Sequence, residues 1–397
     1  MILTIAAFFI GFGMAFAIGA NDVANSMSTA VGAKAITPKQ AVFIAAILEF
    51  LGALLFGAHV TKTIAKGIVY LDRIGEPNFI LYGAISALIA STIWILFATF
   101  WGMPVSTTHS IIGGMIGFGL AAGGLNVINW ITLAKIVLTW ITSPLIGGAI
   151  AFVIFKFISW SILHRKHPAK AAKYVAPLLL GLAFYTIGTL FVVKVMKNNI
   201  VMGNFIGIPV GIGAFFVSYL SLRKIKSGSN EYNIVESVFR KAQIVTSCYV
   251  SFSHGANDVA NAVAPVALIY TIITAGSFTG TISIPKYILA LGGLGISVGV
   301  AVLGYKVMKT VGHDITELNN TRGFSIDFAT ATTVLVASTM GMPISTTHTV
   351  VGAVSGVGFA RGIEVVNVGI LKSIIISWFV TVPFAAAVSA LIYVILV

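Results

Sequence analysis

An aspartate followed three residues later by an asparagine, both inside an apolar run, occurs twice in this chain. Asp22 and Asn25 lie in Gly-Ala-Asn-Asp-Val-Ala-Asn at residues 19–25, and Asp258 and Asn261 lie in the same heptapeptide at 255–261. Groups three apart sit close to one face of a helix, so a carboxylate and an amide carbonyl can meet a common ligand. Hard oxygen donors of this kind suit a small, hard cation, and carbonyls freed at a helix break can complete its shell. Asn21 and Asn257 face another way and are expected to hold unwound backbone. An ionised side chain inside a membrane segment costs about 2.5–3.5 kcal/mol on insertion scales and marks a functional site by default. A lone asparagine there would more often bond a neighbouring helix. The duplicated Asp–Asn pair argues instead for a cation site.

A second element is also doubled. Gly-Met-Pro-Val-Ser-Thr-Thr-His at 102–109 returns as Gly-Met-Pro-Ile-Ser-Thr-Thr-His at 341–348. Proline suits the first helical turn, and Ser and Thr are good caps. A helix starting there offers free N–H groups and the positive end of its dipole, a setting for phosphate or carboxylate. Ser106, Thr107, Thr108, Ser345, Thr346 and Thr347 are therefore the candidate anion contacts. Single membrane hydroxyls mostly bond back to their own helix, but two S-T-T-H runs behind proline favour a ligand. His109 and His348 read as packed residues rather than proton carriers. Glu49 stands alone in the second apolar run, as either a functional acid or an interface residue. His254 has Ile18 at the matching place in the first half, which breaks the symmetry. Gln243, upstream on the same segment, is a further polar lining candidate.

The elements that must position these groups are membrane helices. The chain has 397 residues, is 58% hydrophobic and 9% charged, and has a mean hydropathy of +1.01. Soluble domains are roughly 25% charged, so the fold class is an all-α polytopic membrane protein. The net charge of +13 sits in connecting loops rather than in a groove, which points to membrane lipid headgroups and not to nucleic acid. Cys248 is the single cysteine, so no disulfide framework forms within the chain. Ala15-Phe16-Ala17 imitates a signal cleavage site, but no basic residue precedes the apolar run, and the segment is expected to be retained.

At about 20 apolar residues per crossing, the chain divides into about twelve segments. They are roughly 2–31, 38–58, 79–100, 104–124, 131–158, 174–194, 203–222, 237–271, 285–309, 324–340, 343–361 and 366–395. The first and eighth are long and carry the Asp–Asn motif, so a break or bend is expected there. The fourth and eleventh, opening with proline, are crossings or re-entrant hairpins. The repeats divide the chain into a first repeat (1–160), a connecting helix pair with basic loops (161–236) and a second repeat (237–397). An odd number of intervening segments makes the second repeat inverted. The loop cations Arg165, Lys166, Lys170, Lys173, Arg223, Lys224, Lys226, Arg240 and Lys241 fall on one side, cytoplasmic by the positive-inside rule, with both termini outside. Trp94, Trp101, Trp130, Trp140, Trp160 and Trp378 lie mostly near segment ends, as an interfacial belt would.

The two motifs together resemble the inorganic phosphate transporter (PiT) family, which includes the type III sodium–phosphate cotransporters. The likeness covers essentially the whole chain: both heptapeptides, both S-T-T-H runs, and Q-I-V-T-S-C-Y-V-S-F-S-H-G-A-N-D-V-A-N-A-V-A-P at 243–265. It implies inverted repeats, inorganic phosphate as substrate, symport driven by a cation gradient, and a homodimer; the plasma membrane is the expected location. Carried onto the matching residues, it implies cation and substrate-site roles for Asp22, Asn25, Asp258 and Asn261, and phosphate contacts from the six S-T-T hydroxyls. The central linker is short beside that of many eukaryotic relatives. Sodium ions are then the coupling ions, with no other cofactor and no enzymatic activity. Proton-coupled or metal–phosphate symport keeps the same fold. An intramembrane aspartyl protease, using the two aspartates as a dyad, explains neither the matched asparagines nor the S-T-T-H runs. A passive channel fits poorly with paired charges on broken helices.

Overall fold

The computed structural model describes residues 2–225, 230–276, 282–314, 318–362 and 368–397. Lys226, one of the loop cations, lies outside them, as does the side chain of Trp378. Thirteen α-helices span the described residues: α1 (Ile2–Gly32), α2 (Pro38–Phe56), α3 (Ala58–Gly67), α4 (Pro77–Phe100), α5 (Thr107–Gly123), α6 (Trp130–Ile158), α7 (Pro168–Leu190), α8 (Ile200–Leu222), α9 (Glu231–Ala275), α10 (Lys286–Asp314), α11 (Asn320–Thr339), α12 (Thr346–Arg361) and α13 (Val368–Leu396). Ten stretches among them are long and apolar enough to cross a membrane. Each expected segment has its helix. The unexpected one is α3, a short polar helix that follows α2 directly.

The breaks fall elsewhere than expected. Helices α1 and α9 run unbroken through the Asp–Asn motifs. The chain breaks instead at Gly-Met-Pro, between α4 and α5 and between α11 and α12. Gly102 and Gly341 take left-handed φ angles of 66° and 72°, open to glycine without a Cβ penalty. Around each turn the ended helix is closed in the same way: Met103 N–H donates to Ala98 O, and Met342 N–H to Ala337 O. The next helix is then capped by serine, with Ser106 Oγ accepting from His109 N–H and Ser345 Oγ from His348 N–H, both at 3.2 Å. The motif helices stay wound because partners on these two turns satisfy their polar side chains.

Each pair forms a helical hairpin. A backbone ladder joins residues 68–70, ahead of α4, to 127–129, beyond α5: Tyr70 N–H donates to Val127 O and Asn129 N–H to Ile68 O. The α4 start and the α5 end therefore lie together, and the Gly-Met-Pro turn is the tip. Just behind each turn the chain is buried, at Val105 and Ser106 and at Ile344 and Ser345, against the polar stretches of α1 and α9.

The halves pack into one another. Helix α1 lies on α10, and α9 lies on α2, closely enough that a Cβ on Gly19 would strike the Ile296 carbonyl and one on Gly255 the Glu49 carbonyl. Small residues allow such backbone approach, which is how membrane helices pack without a hydrophobic driving force. The pair α7–α8 packs mainly on itself and on α9, leaving most of the α8 apolar surface exposed. The tryptophan belt is partial. Trp101, Trp130 and Trp160 are exposed, but Trp94 is buried and donates to Thr381 Oγ1 at 3.2 Å, and Trp140 packs on His109.

Candidate functional site

The twelve residues singled out in the two motifs converge at one place, each at most 5% exposed. Asn21, on α1, holds the first hairpin tip. Its Nδ2 donates to Thr99 Oγ1 (3.0 Å) and Met103 O (3.1 Å), and its Oδ1 accepts from Val105 N–H (3.2 Å). Asn257, on α9, holds the second tip: Nδ2 donates to Ile344 O (2.9 Å), and Oδ1 accepts from Ser338 Oγ (3.3 Å). These asparagines do secure non-helical backbone, but that of the hairpin tips rather than of their own helices.

The Asp–Asn pairs face the threonines. Asp22 Oδ1 accepts from Asn25 Nδ2 (3.0 Å), and its Oδ2 accepts from Thr107 Oγ1 (2.7 Å). Asp258 Oδ1 accepts from Asn261 Nδ2 (2.9 Å), Asn257 Nδ2 (3.2 Å) and Thr108 Oγ1 (3.3 Å). The halves then cross over. Asn25 Nδ2 donates to Thr347 Oγ1 (2.9 Å), and Asn261 Nδ2 donates to Thr108 Oγ1 (3.2 Å). The hydroxyls of Thr108 and Thr347 reach the Ile344 and Val105 carbonyls in turn. Ser106 and Ser345 are occupied as helix caps, and Thr346 lies buried at the second tip. With the amides turned to the carboxylates, Asn261 Oδ1 is left buried without a hydrogen bond.

One group breaks this symmetry. His254 Nε2 stands 3.0 Å from Asp258 Oδ2 and 3.7 Å from Asp22 Oδ2, and Nδ1 stands 3.1 Å from Glu49 Oε2. Glu49 Oε1 also accepts from Ser26 Oγ at 3.0 Å. Three buried carboxylates thus surround one imidazole. The counterparts of His254 and Glu49 are both isoleucines: Ile18 precedes Gly19 as His254 precedes Gly255, and Gly19 meets Ile296 as Gly255 meets Glu49. Each pair spans the two halves: an ionisable pair joins α2 to α9, and an apolar pair joins α1 to α10 at the equivalent place. Ligand atoms of Asp22, His254 and Asp258 all lie within 4.8 Å of one another and could hold a metal ion.

His109 and His348 lie behind the tips. Their rings are 4.5 Å apart, His109 packs at 3.8 Å on Trp140, and His348 Nδ1 lies 3.2 Å from Trp140 O. This agrees with the packed role expected of them. Asp327, not singled out from the sequence, is a buried acid on α11 that accepts from Thr29 Oγ1 of α1 and Ser247 Oγ of α9, each at 2.5 Å. The rule that flagged Glu49, an acid alone in an apolar segment, would have found it. Gln243 is buried one turn before Ser247.

Electrostatically the site is acceptor-rich and closed. Two carboxylates and a third behind the histidine would repel an anion placed beside them, the more strongly for being out of water. The hairpin tips supply the opposite chemistry in hydroxyl donors and two helix N-termini. Neutralising the carboxylates would weaken that repulsion.

The sequence pattern of the phosphate transporter family matches residues 18–389. A protein of Thermococcus kodakarensis named as a phosphate permease is 56% identical over 98% of this chain and 96% of its own length. The chloroplastic inorganic phosphate transporter of Arabidopsis thaliana is 40% identical over 98% of this chain and 71% of its own. A solved structure described as the sodium-dependent phosphate transporter superimposes with a TM-score of 0.97, at 56% identity, covering 100% of this chain and 99% of that one.

Proposed function

The chain belongs to the phosphate transporter family and carries phosphate across a membrane rather than acting as an enzyme; we propose that it is a sodium-coupled symporter with one central site. The observation that carries this reading is the pairing of Thr107 with Asp22 and of Thr108 with Asp258. In that arrangement the Thr107 proton is spent on Asp22, and the Thr108 proton is shared between Asp258 and the Ile344 carbonyl. Sodium held by Asp22 and Asn25, and by Asp258 and Asn261, takes over both carboxylates and releases the hydroxyls. Thr107 and Thr108, with Ser106, Ser345, Thr346, Thr347 and the N-terminal N–H groups of α5 and α12, are then free to donate to phosphate. Coupling follows from competition for the same protons. The close likeness to a sodium-dependent phosphate transporter supports sodium as the ion.

The doubled motifs support two inverted repeats, residues 1–160 and 237–397, moving against one another to alternate access. The basic loops favour a cytoplasmic membrane location with both termini outside, and the exposed apolar face of α8 leaves room for a homodimer contact. A second reading, proton coupling, rests on His254, an imidazole within reach of three carboxylates. Uptake of labelled phosphate into proteoliposomes separates the two. An inward sodium gradient should drive uptake while potassium does not; uptake driven by an imposed proton gradient, indifferent to sodium, would reassign the acids as proton carriers.

A further inference from the structure

We propose that a cleft where α1, α2, α8 and α9 meet binds the phosphate headgroup of an anionic phospholipid. The cleft has a volume of about 440 Å³, and its polar lining is Arg240, Lys241, Ser237 and Gln40. Its apolar walls are Ala35, Ile36, Ile225 and Ile244. It lies at the level where three helices end. Ala35 follows the last turn of α1, Gln40 is in the first turn of α2, and Ile225 follows α8, while α9 runs on past them. Helix ends of a membrane protein lie in the headgroup zone, and basic clefts between them recognise anionic headgroups.

Among the described residues, no ion pair engages Arg240 or Lys241. Arg240 gives its Nε–H to Ala35 O at 3.1 Å, a contact that fixes the guanidinium while leaving its Nη groups to a ligand. The nearby acids of α9 are committed elsewhere. Glu231 accepts from Ala169 N–H at the start of α7, and Glu236 accepts from Asn320 N–H, Thr321 N–H and Thr321 Oγ1 at the start of α11. Gln40 spends Oε1 on Thr37 N–H in a capping box, which leaves its Nε2 donors. The apolar walls decide the source of the phosphate: a lipid can bury the start of its acyl chains against them, whereas a free ion gains nothing from them. A headgroup seated here touches α1, α2 and α9, the helices that carry Asp22, Glu49 and Asp258.

The test is binding of phosphatidylglycerol, with phosphatidylcholine of the same acyl chains and inorganic phosphate as comparisons, to the detergent-purified full chain by native mass spectrometry. Wild type should prefer phosphatidylglycerol. Lys241→Gln should weaken that preference about fivefold, the worth of one cation at a membrane surface. Arg240→Lys, which keeps the charge, should lose less than Arg240→Gln and covers the case in which the glutamine variant misfolds. Lys166→Gln with Lys170→Gln, at the start of α7 and outside the cleft lining, should leave it unchanged. An equal preference in wild type and Lys241→Gln would overturn the proposal. So would a loss that tracks Lys166 and Lys170 instead, or displacement of phosphatidylglycerol by inorganic phosphate at matched concentration.

Discussion

The Asn25 amide donates to the Thr347 hydroxyl at 2.9 Å, across the boundary between the two halves of the chain. Asn261 returns the contact to Thr108. Each cation-site candidate is therefore tied to the other half's hairpin tip, and neither half makes the site alone. Replacing Asn25 by Ala or Thr347 by Val should each lower phosphate uptake several-fold, since a single hydrogen bond contributes about 1 kcal/mol. The double variant should lose less than the product of the two, because residues in contact couple. Multiplicative losses in a double-mutant cycle of uptake rates would show that the contact plays no part in transport.

Asp22→Asn and Asp258→Asn keep size and hydrogen-bonding capacity while removing a charge. Either should abolish sodium-stimulated uptake, with protein that still elutes as a folded species. Unchanged sodium stimulation in either variant would remove that aspartate from the cation site.

The His254–Glu49 pair makes a prediction about stability. Removing one member of a buried pair strands the other and costs about 3–5 kcal/mol, whereas replacing both by apolar residues is often neutral. The equivalent contact between α1 and α10 already holds the apolar version in Ile18 and Ile296. Glu49→Ile should lower the melting temperature sharply, and adding His254→Ile should recover part of that loss, since Asp258 and Asp22 lose their imidazole partner, while leaving uptake impaired. A double variant no more stable than the single one would mean that the two residues do not act as a pair.

Much of this was legible in the sequence, and the part that was not has a common cause. The doubled motifs marked the site because identical polar heptapeptides within apolar runs come from a duplicated site and almost never from chance. Helix boundaries followed from proline, glycine and apolar length. The unbroken course of α1 and α9 was not legible, because whether an Asn unwinds its own helix or holds another segment depends on which residues lie opposite. The same blindness hid the Asn25–Thr347 crossover and the meeting of Glu49 with His254. Asp327 was overlooked for a different reason: Leu88 stands at its matching place, so attention to repetition passed it by. Helix α3 is too short and polar to register as a membrane segment.

The hairpin tips depend on two left-handed glycines. Gly102→Ala and Gly341→Ala should each cost about 1–2 kcal/mol, the scale of the left-handed penalty for a residue with a Cβ, and displace the S-T-T-H run behind them. Phosphate KM should rise more than the sodium requirement changes. Thermal unfolding together with uptake kinetics would read both effects, and an unaltered KM would separate the turn from the site.

The central claim is that sodium on the Asp–Asn pairs frees threonine hydroxyls for phosphate. Its most direct measurement is equilibrium phosphate binding to the purified chain, with sodium or with an inert organic cation at matched ionic strength. Linkage requires the effect to be reciprocal. Sodium should tighten phosphate binding at least tenfold, phosphate should tighten sodium binding by the same factor, and Thr107→Val should weaken phosphate while reducing that factor. Phosphate binding of equal strength with and without sodium would contradict the account.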